Sequence, residues 1–247
     1  MMIKFIDDLR NKFDFFLRSH ITFSRKNYQE FGSFHEEYLI ENFEKYNLSL
    51  LKDLNERNIE ENLYFLNIFD KYLNKTKREK ITVLDIGSKN WNYVKSEYLF
   101  AKSLSDNIVL NGIELDGYRL NSKFYTRYEI AKFYTKDLEN TNYIVGDFLE
   151  HDFKYDLIIW ILPFITEYPL QKWGLPLKYF KPLDMLNHAY NLMNKDGELL
   201  IINQGEEEYK IQQELIKTLD LKAEYLDEIE DKYELFKNKR FAIKIIK

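Results

Sequence analysis

The chain has 247 residues, a net charge of -5, 45% hydrophobic and 31% charged residues, and only 8 glycines and 4 prolines, which excludes collagen-like, linker-like and broadly disordered chains. The acidic balance argues against an extended nucleic-acid surface, which needs clustered Lys and Arg, and the absence of cysteine excludes disulfides, thiolate metal sites and cysteine nucleophiles, so a cytoplasmic setting is expected. No apolar run approaches the roughly 20 residues of a membrane span, and the first residues are broken by Lys4, Asp7, Asp8, Arg10 and Lys12, unlike a secretory signal.

Met2, Ile6, Leu9, Phe13 and Phe16 recur at three- and four-residue spacing and predict a helix over 2–18 with one apolar stripe. A loop over 19–32 follows, and Arg18, Arg25 and Lys26 read as a charged helix end exposed to water. Phe34, Tyr38, Leu39, Phe43 and Tyr46 repeat the helical pattern, and Ile59, Leu63, Leu66, Phe69 and Leu73 extend it into a longer helix. Residues 1–78 are therefore expected to form a helical cap. The texture changes at Ile81-Thr82-Val83-Leu84, a β-branched apolar run that reads as a strand buried on both faces.

From there the pattern alternates. Helix is predicted over 92–104, 120–134, 183–193 and 207–219, the last opened by Glu206-Glu207-Glu208, whose charge suits a helix N-terminus. Strands are predicted over 81–84, 108–115, 143–145, 157–162, 199–203, 222–226 and 241–246. Such alternation implies an α/β fold over 79–247, a mostly parallel sheet covered by helices on both faces. No helix separates the last two strands, which are expected to pair as an antiparallel hairpin at the sheet edge.

Three strand ends carry acids. Val83-Leu84-Asp85-Ile86-Gly87-Ser88 puts a carboxylate and then a glycine where an open α/β sheet binds its ligand. A carboxylate there would repel a pyrophosphate, so Asp85 suits a cationic or hydroxyl-bearing ligand, and a nicotinamide-dependent oxidoreductase is disfavoured. Asn111-Gly112-Ile113-Glu114-Leu115-Asp116 ends a second strand, where Glu114, rather than Asp116, can accept bonds from both hydroxyls of a ribose. In Val145-Gly146-Asp147-Phe148 an Asp can accept from an adenine amine while the aromatic neighbour covers the ring.

In this order the segments resemble the class I S-adenosylmethionine-dependent methyltransferases. Asp85-Ile86-Gly87-Ser88 is similar to their first motif, Gly112-Ile113-Glu114 to their ribose-binding acid and Gly146-Asp147-Phe148 to their adenine-binding motif. Tyr155-Asp156-Leu157-Ile158-Ile159 resembles their fourth strand, and 192–200 resembles the turn into their fifth. The resemblance covers about 81–247. It implies a Rossmann-like methyltransferase fold with a seven-stranded sheet, S-adenosylmethionine as cofactor, and a methyl acceptor, small molecule or protein, that it does not specify. Asp85, Gly87 and Ser88 would hold the methionine end, Glu114 the ribose, and Asp147 with Phe148 the adenine.

Two departures stand out. Lys89, Asn90 and Trp91 follow Gly87-Ser88 where the family usually carries further glycines, so Lys89 or Trp91 is expected to narrow the methionine end. Asp85 and Glu114 also lie further apart than is usual. A chain that keeps the fold as a binding or scaffold protein without turnover is the alternative reading. The reaction implied is in-line displacement at a sulfonium methyl, which demands orientation and exclusion of water more than a general base. Leu162-Pro163-Phe164 lacks the acid or amide before paired prolines that marks methylation of amino groups on bases or glutamine. Pro163, Phe164 and Trp173 are expected near the acceptor, with 171–182 as a long loop over the site. His20, His35, His151 and His188 show no metal-ligand spacing, and no metal is expected.

Overall fold

The computed structural model describes Met2–His20, residues 28–32 and residues 45–247. The helix expected from Phe34 lies almost wholly outside these residues, as do Arg25, Lys26 and His35. Seven strands form one sheet in the order β3-β2-β1-β4-β5-β7-β6. They are β1 (Lys80–Ile86), β2 (Asn107–Glu114), β3 (Thr141–Val145), β4 (Tyr155–Ile161), β5 (Met193–Gln204), β6 (Ala223–Ile229) and β7 (Arg240–Ile246). Neighbours from β3 to β5 are parallel, whereas β7 runs antiparallel to both β5 and β6, the hairpin expected from the missing helix.

The helices are α1 (Met2–His20), α2 (Glu56–Tyr72), α3 (Val94–Leu104), α4 (Arg127–Thr135), α5 (Glu167–Lys172), α6 (Pro182–Leu192) and α7 (Gly205–Thr218). Alternate residues of β1 enter two cores. Ile81 and Val83 pack with Leu63, Phe65 and Phe69 of α2, Leu99 and Phe100 of α3, and Ile130 of α4. Leu84 and Ile86 pack with Leu186 of α6 and Ile216 of α7. A strand covered on both faces must be apolar at nearly every position, which is why β1 and β4 read as unbroken runs. The chain winds outward one way through β1, β2 and β3 and the other way through β4 and β5. The strand order therefore reverses between β1 and β4, and open α/β sheets bind ligands at such a reversal, beyond the carboxyl ends of the strands.

One expected element is corrected. The helix predicted from Leu120 begins only at Arg127, because Thr126 and Glu129 form a reciprocal capping box and Asn121 holds Lys123 and Tyr125 in a turn. The apolar stripe of α1 faces outward: Ile6, Leu9 and Phe13 are exposed. Its opposite face, Lys4, Asp8, Asn11, Phe15 and Arg18 at three- and four-residue intervals, meets the segment after β4 instead. Among the described residues no helix is long and apolar enough to cross a membrane.

Candidate functional site

A cleft of about 920 Å³, its open mouth included, lies at the β1/β4 reversal. Its floor is Ile86 and Gly87 at the end of β1, Ile113 and Glu114 at the end of β2, and Trp160 to Leu162 at the end of β4. Gly146, Asp147 and Phe148 close the β3 side, and Pro163, Phe164 and Trp173 line the side under the following loop. Seven of the residues singled out in the sequence thus meet in one cavity: Gly87, Glu114, Asp147, Phe148, Pro163, Phe164 and Trp173. Asp85 and Ser88 are fully buried behind the wall and do not line it.

The loop from Gly87 to Tyr93 is shaped by three left-handed residues, Gly87, Lys89 and Trp91, with φ of 73°, 53° and 54°. Only glycine adopts this region without strain, so the two others must be held there. Trp91 is the anchor. Its buried indole donates to Glu97 Oε2 at 2.9 Å and packs against Gly112, where a Cβ would lie 2.8 Å from the ring. The expectation that Trp91 narrows the cleft is therefore corrected, because its ring turns under β2. Lys89 does line the cleft; its backbone carbonyl accepts from the Tyr143 hydroxyl and its N–H donates to Glu114 Oε2 at 3.0 Å. Asn62 of α2 ties the loop to the cap, donating to the Asn92 carbonyl at 2.8 Å and accepting from the Ser96 N–H at 2.9 Å.

Backbone and polar side chains leave places for a ligand. A Cβ built on Gly87 or Gly146 would meet nothing within 4 Å, so both strand ends present bare backbone to the cleft. Directly behind, Asp85 Oδ2 accepts from the Tyr93 hydroxyl at 3.0 Å, but Asp85 Oδ1 and Ser88 Oγ are buried without a hydrogen-bond partner. Burial pushes the Asp85 carboxyl up to about 7, against the opposing pull of the Tyr93 bond and Lys89.

Glu114 is already engaged. Oε1 accepts from Arg127 Nη1 at 2.8 Å and from the Asp116 N–H at 2.9 Å, while among the described residues Oε2 accepts only from Lys89 N–H. With two lone pairs per oxygen, Oε2 retains one acceptor position for a ligand hydroxyl. Asp147 Oδ1 caps the short turn of Phe148–Glu150 by accepting from Leu149 N–H at 3.0 Å, and the buried Phe148 ring meets His188 edge-on at 4.9 Å.

The loop over the cleft is partly helical, containing α5 and a short turn at Leu177–Tyr179. Helix α1 straps it down. Lys4 pairs with Glu167 at 2.8 Å, Asn11 donates to the carbonyls of Gln171 and Leu175 at 3.1 and 3.3 Å, and Asp8 Oδ1 accepts from Leu177 N–H at 2.7 Å. Arg18, expected at an exposed helix end, is instead drawn in. It grips Asp116 through two bonds of 3.0 Å and donates to the Gly174 carbonyl at 3.0 Å. Trp173 lies across the mouth beside Phe164 and within 6 Å of Lys89, Arg119 and Arg127. Arg119 and Arg127 were not legible as site residues; the capping box at Thr126 was the available clue to Arg127, because it places that residue in the first turn of α4. Among the described residues no group of three His, Asp or Glu side chains could hold a metal ion.

No family model and no curated protein matches the sequence. Solved structures do match in shape. A methyltransferase dependent on S-adenosylmethionine from Aquifex aeolicus aligns at 13% identity over 80% of this chain and 96% of its own, with a TM-score of 0.53. A Listeria monocytogenes protein described as a class I S-adenosylmethionine-dependent methyltransferase aligns at 14% identity over 81% of this chain and 65% of its own, with a TM-score of 0.51. Strand order, the closing antiparallel pair and these likenesses together identify the architecture: the chain has the fold of the class I S-adenosylmethionine-dependent methyltransferases.

Proposed function

We propose that the protein is an S-adenosylmethionine-dependent methyltransferase. The observation that carries this reading is the match between the cleft's vacant interaction points and such a cofactor. Bare backbone at Gly87 and Gly146 admits close approach, and the orphaned, buried Asp85 Oδ1 and Ser88 Oγ stand behind the first of them. Glu114 Oε2 has one acceptor position to spare. The cofactor is a methyl donor whose sulfonium makes the methyl group electrophile enough without metal or acid assistance.

On this reading Asp85, Gly87 and Ser88 hold the methionine end, with the Asp85 carboxylate turning toward the ammonium. Glu114 takes a ribose hydroxyl, and Asp147 and Phe148 take the adenine edge and face. Residues 1–78 act as a cap: α1 holds the lid of 163–181 closed over the acceptor, where Pro163, Phe164 and Trp173 exclude water and fix the line of approach.

Titration calorimetry with S-adenosylmethionine and S-adenosylhomocysteine tests the reading. Saturable one-to-one binding is expected. Gly146→Val should abolish it with little change in melting temperature, because the new side chain enters empty space in the cleft. If neither compound binds the native chain, the scaffold reading takes its place.

A further inference from the structure

The rim of the cleft under the lid holds more positive charge than its acids neutralise. Arg18 takes Asp116 with two bonds of 3.0 Å, and Arg127 takes Glu114 at 2.8 Å. Arg119 donates to the Trp173 carbonyl and is a further claimant on Asp116, at 3.5 Å. Lys89 Nζ has no ion-pair partner among the described residues. Asp147, the remaining acid of this wall, caps its own turn.

Three of these cations crowd one indole: Lys89 Nζ, Arg127 Cζ and Arg119 Cζ lie 5.2, 5.3 and 5.8 Å from the centre of the Trp173 ring. An aromatic face attracts a cation, but it does not offset mutual repulsion among three in a half-buried cleft. Burial, worsened by Arg127, draws both Lys89 and Arg119 below their ordinary pKa. Such an arrangement is unfavourable empty and becomes favourable when an anion enters.

We infer that Lys89, Arg119 and Arg127 form an oxyanion site beside Trp173, and that the methyl acceptor carries a phosphate or carboxylate group that this site holds. The assignment to the acceptor rests on the methyltransferase reading. There the cofactor's own carboxylate lies at the Gly87 end, from which Lys89 reaches across, whereas Arg119 and Arg127 stand at the Asp116 and Glu114 end, under the lid, so it is the two arginines that set the oxyanion apart from the cofactor. Arginine suits the purpose, since its planar fork can keep one carboxylate bond while offering its other N–H groups to an incoming oxyanion.

The test uses the full chain with inorganic phosphate as probe, against sodium chloride at matched ionic strength, with and without saturating S-adenosylhomocysteine. The melting temperature should rise saturably with phosphate beyond the chloride control, equally in both conditions. Lys89→Met and Arg119→Gln should each weaken phosphate by about tenfold, or 1.4 kcal/mol. Lys89→Met should melt no lower than the parent without phosphate, because it removes a repelled cation that has no ion-pair partner among the described residues; a merely structural role would lower both its stability and its phosphate affinity. The site is overturned if phosphate acts no differently from chloride or binds the variants as well as the parent. Mutual exclusion of phosphate and S-adenosylhomocysteine overturns the assignment to the acceptor. Failure of S-adenosylhomocysteine to bind while phosphate still saturates would remove the methyltransferase reading and the acceptor with it, leaving an anion site of other purpose.

Discussion

Asp85→Asn should stabilise the unliganded protein at neutral and alkaline pH, although it alters the residue most central to the cofactor loop. The Asp85 carboxyl is fully buried, one oxygen has no partner, and burial raises it from 3.8 to about 7. Unfolding returns it to its ordinary value. Between those two values the folded state keeps a proton that the unfolded state has released, so the free energy of unfolding falls as pH rises, and the penalty is complete above about pH 7. A displacement of about three pH units corresponds to at most about 4 kcal/mol, and relaxation around the charge reduces this to about 2. About two thirds of that penalty accrues above pH 5, so at about 2–4 °C per kcal/mol for a chain of this size the melting temperature of the parent should drop by roughly 3–5 °C more than that of the variant between pH 5 and pH 8. Scanning calorimetry across that window measures it. Glu97, raised by burial and by the neighbouring Asp85 charge, is relieved of the second cause in the variant, which adds to the difference in the same direction. With saturating S-adenosylhomocysteine the parent's pH dependence should flatten, since the ligand's ammonium stabilises the ionised carboxylate, while the variant should bind the ligand more weakly. Parallel melting curves from pH 5 to pH 8, or a variant that melts lower at the alkaline end, would show that Asp85 is not held as a strained buried acid.

Gly112→Ala places a methyl 2.8 Å from the Trp91 indole, which is buried and tied to Glu97, so about 1–3 kcal/mol of stability should be lost in chemical denaturation; an unchanged midpoint would mean that the loop does not depend on this contact. Arg18→Ala leaves the buried Asp116 carboxylate with only Arg119 and frees the Gly174 carbonyl, costing about 2–3 kcal/mol. Amide hydrogen exchange should then quicken in α1 and in 163–181 together while the sheet stays protected; faster exchange in α1 alone would refute the strap.

The strands were legible because a sheet covered on both faces imposes apolar residues at consecutive positions of β1 and β4, a pattern that no helix face at the surface reproduces. The acids and glycines of the cleft were legible for a related reason: the reversal of strand order brings the ends of β1, β2 and β3 together, so residues just beyond apolar runs are already placed. Their orientation was not. Asp85 and Glu114 occupy similar positions in sequence, yet one lies behind the wall with a free oxygen and the other is bridged to Arg127.

Arg18 was read as an exposed helix end because its position depends on contacts between distant segments. Arg18 lies 98 residues from Asp116, and Asn11 lies 160 residues from Gln171, separations over which periodicity carries no information. Helix α1 makes the point most sharply. An amphipathic pattern records two faces but not which of them finds a partner, and burial of the apolar face is only the usual outcome. Here the partner is a loop that presents the carbonyls of Gln171, Gly174 and Leu175 and the N–H of Leu177, which apolar side chains cannot satisfy; Asp8, Asn11 and Arg18 can, and the helix is rotated accordingly. The polar face of α1 therefore packs on the loop beside the cleft, and a substitution there should act on that loop before it acts on the sheet.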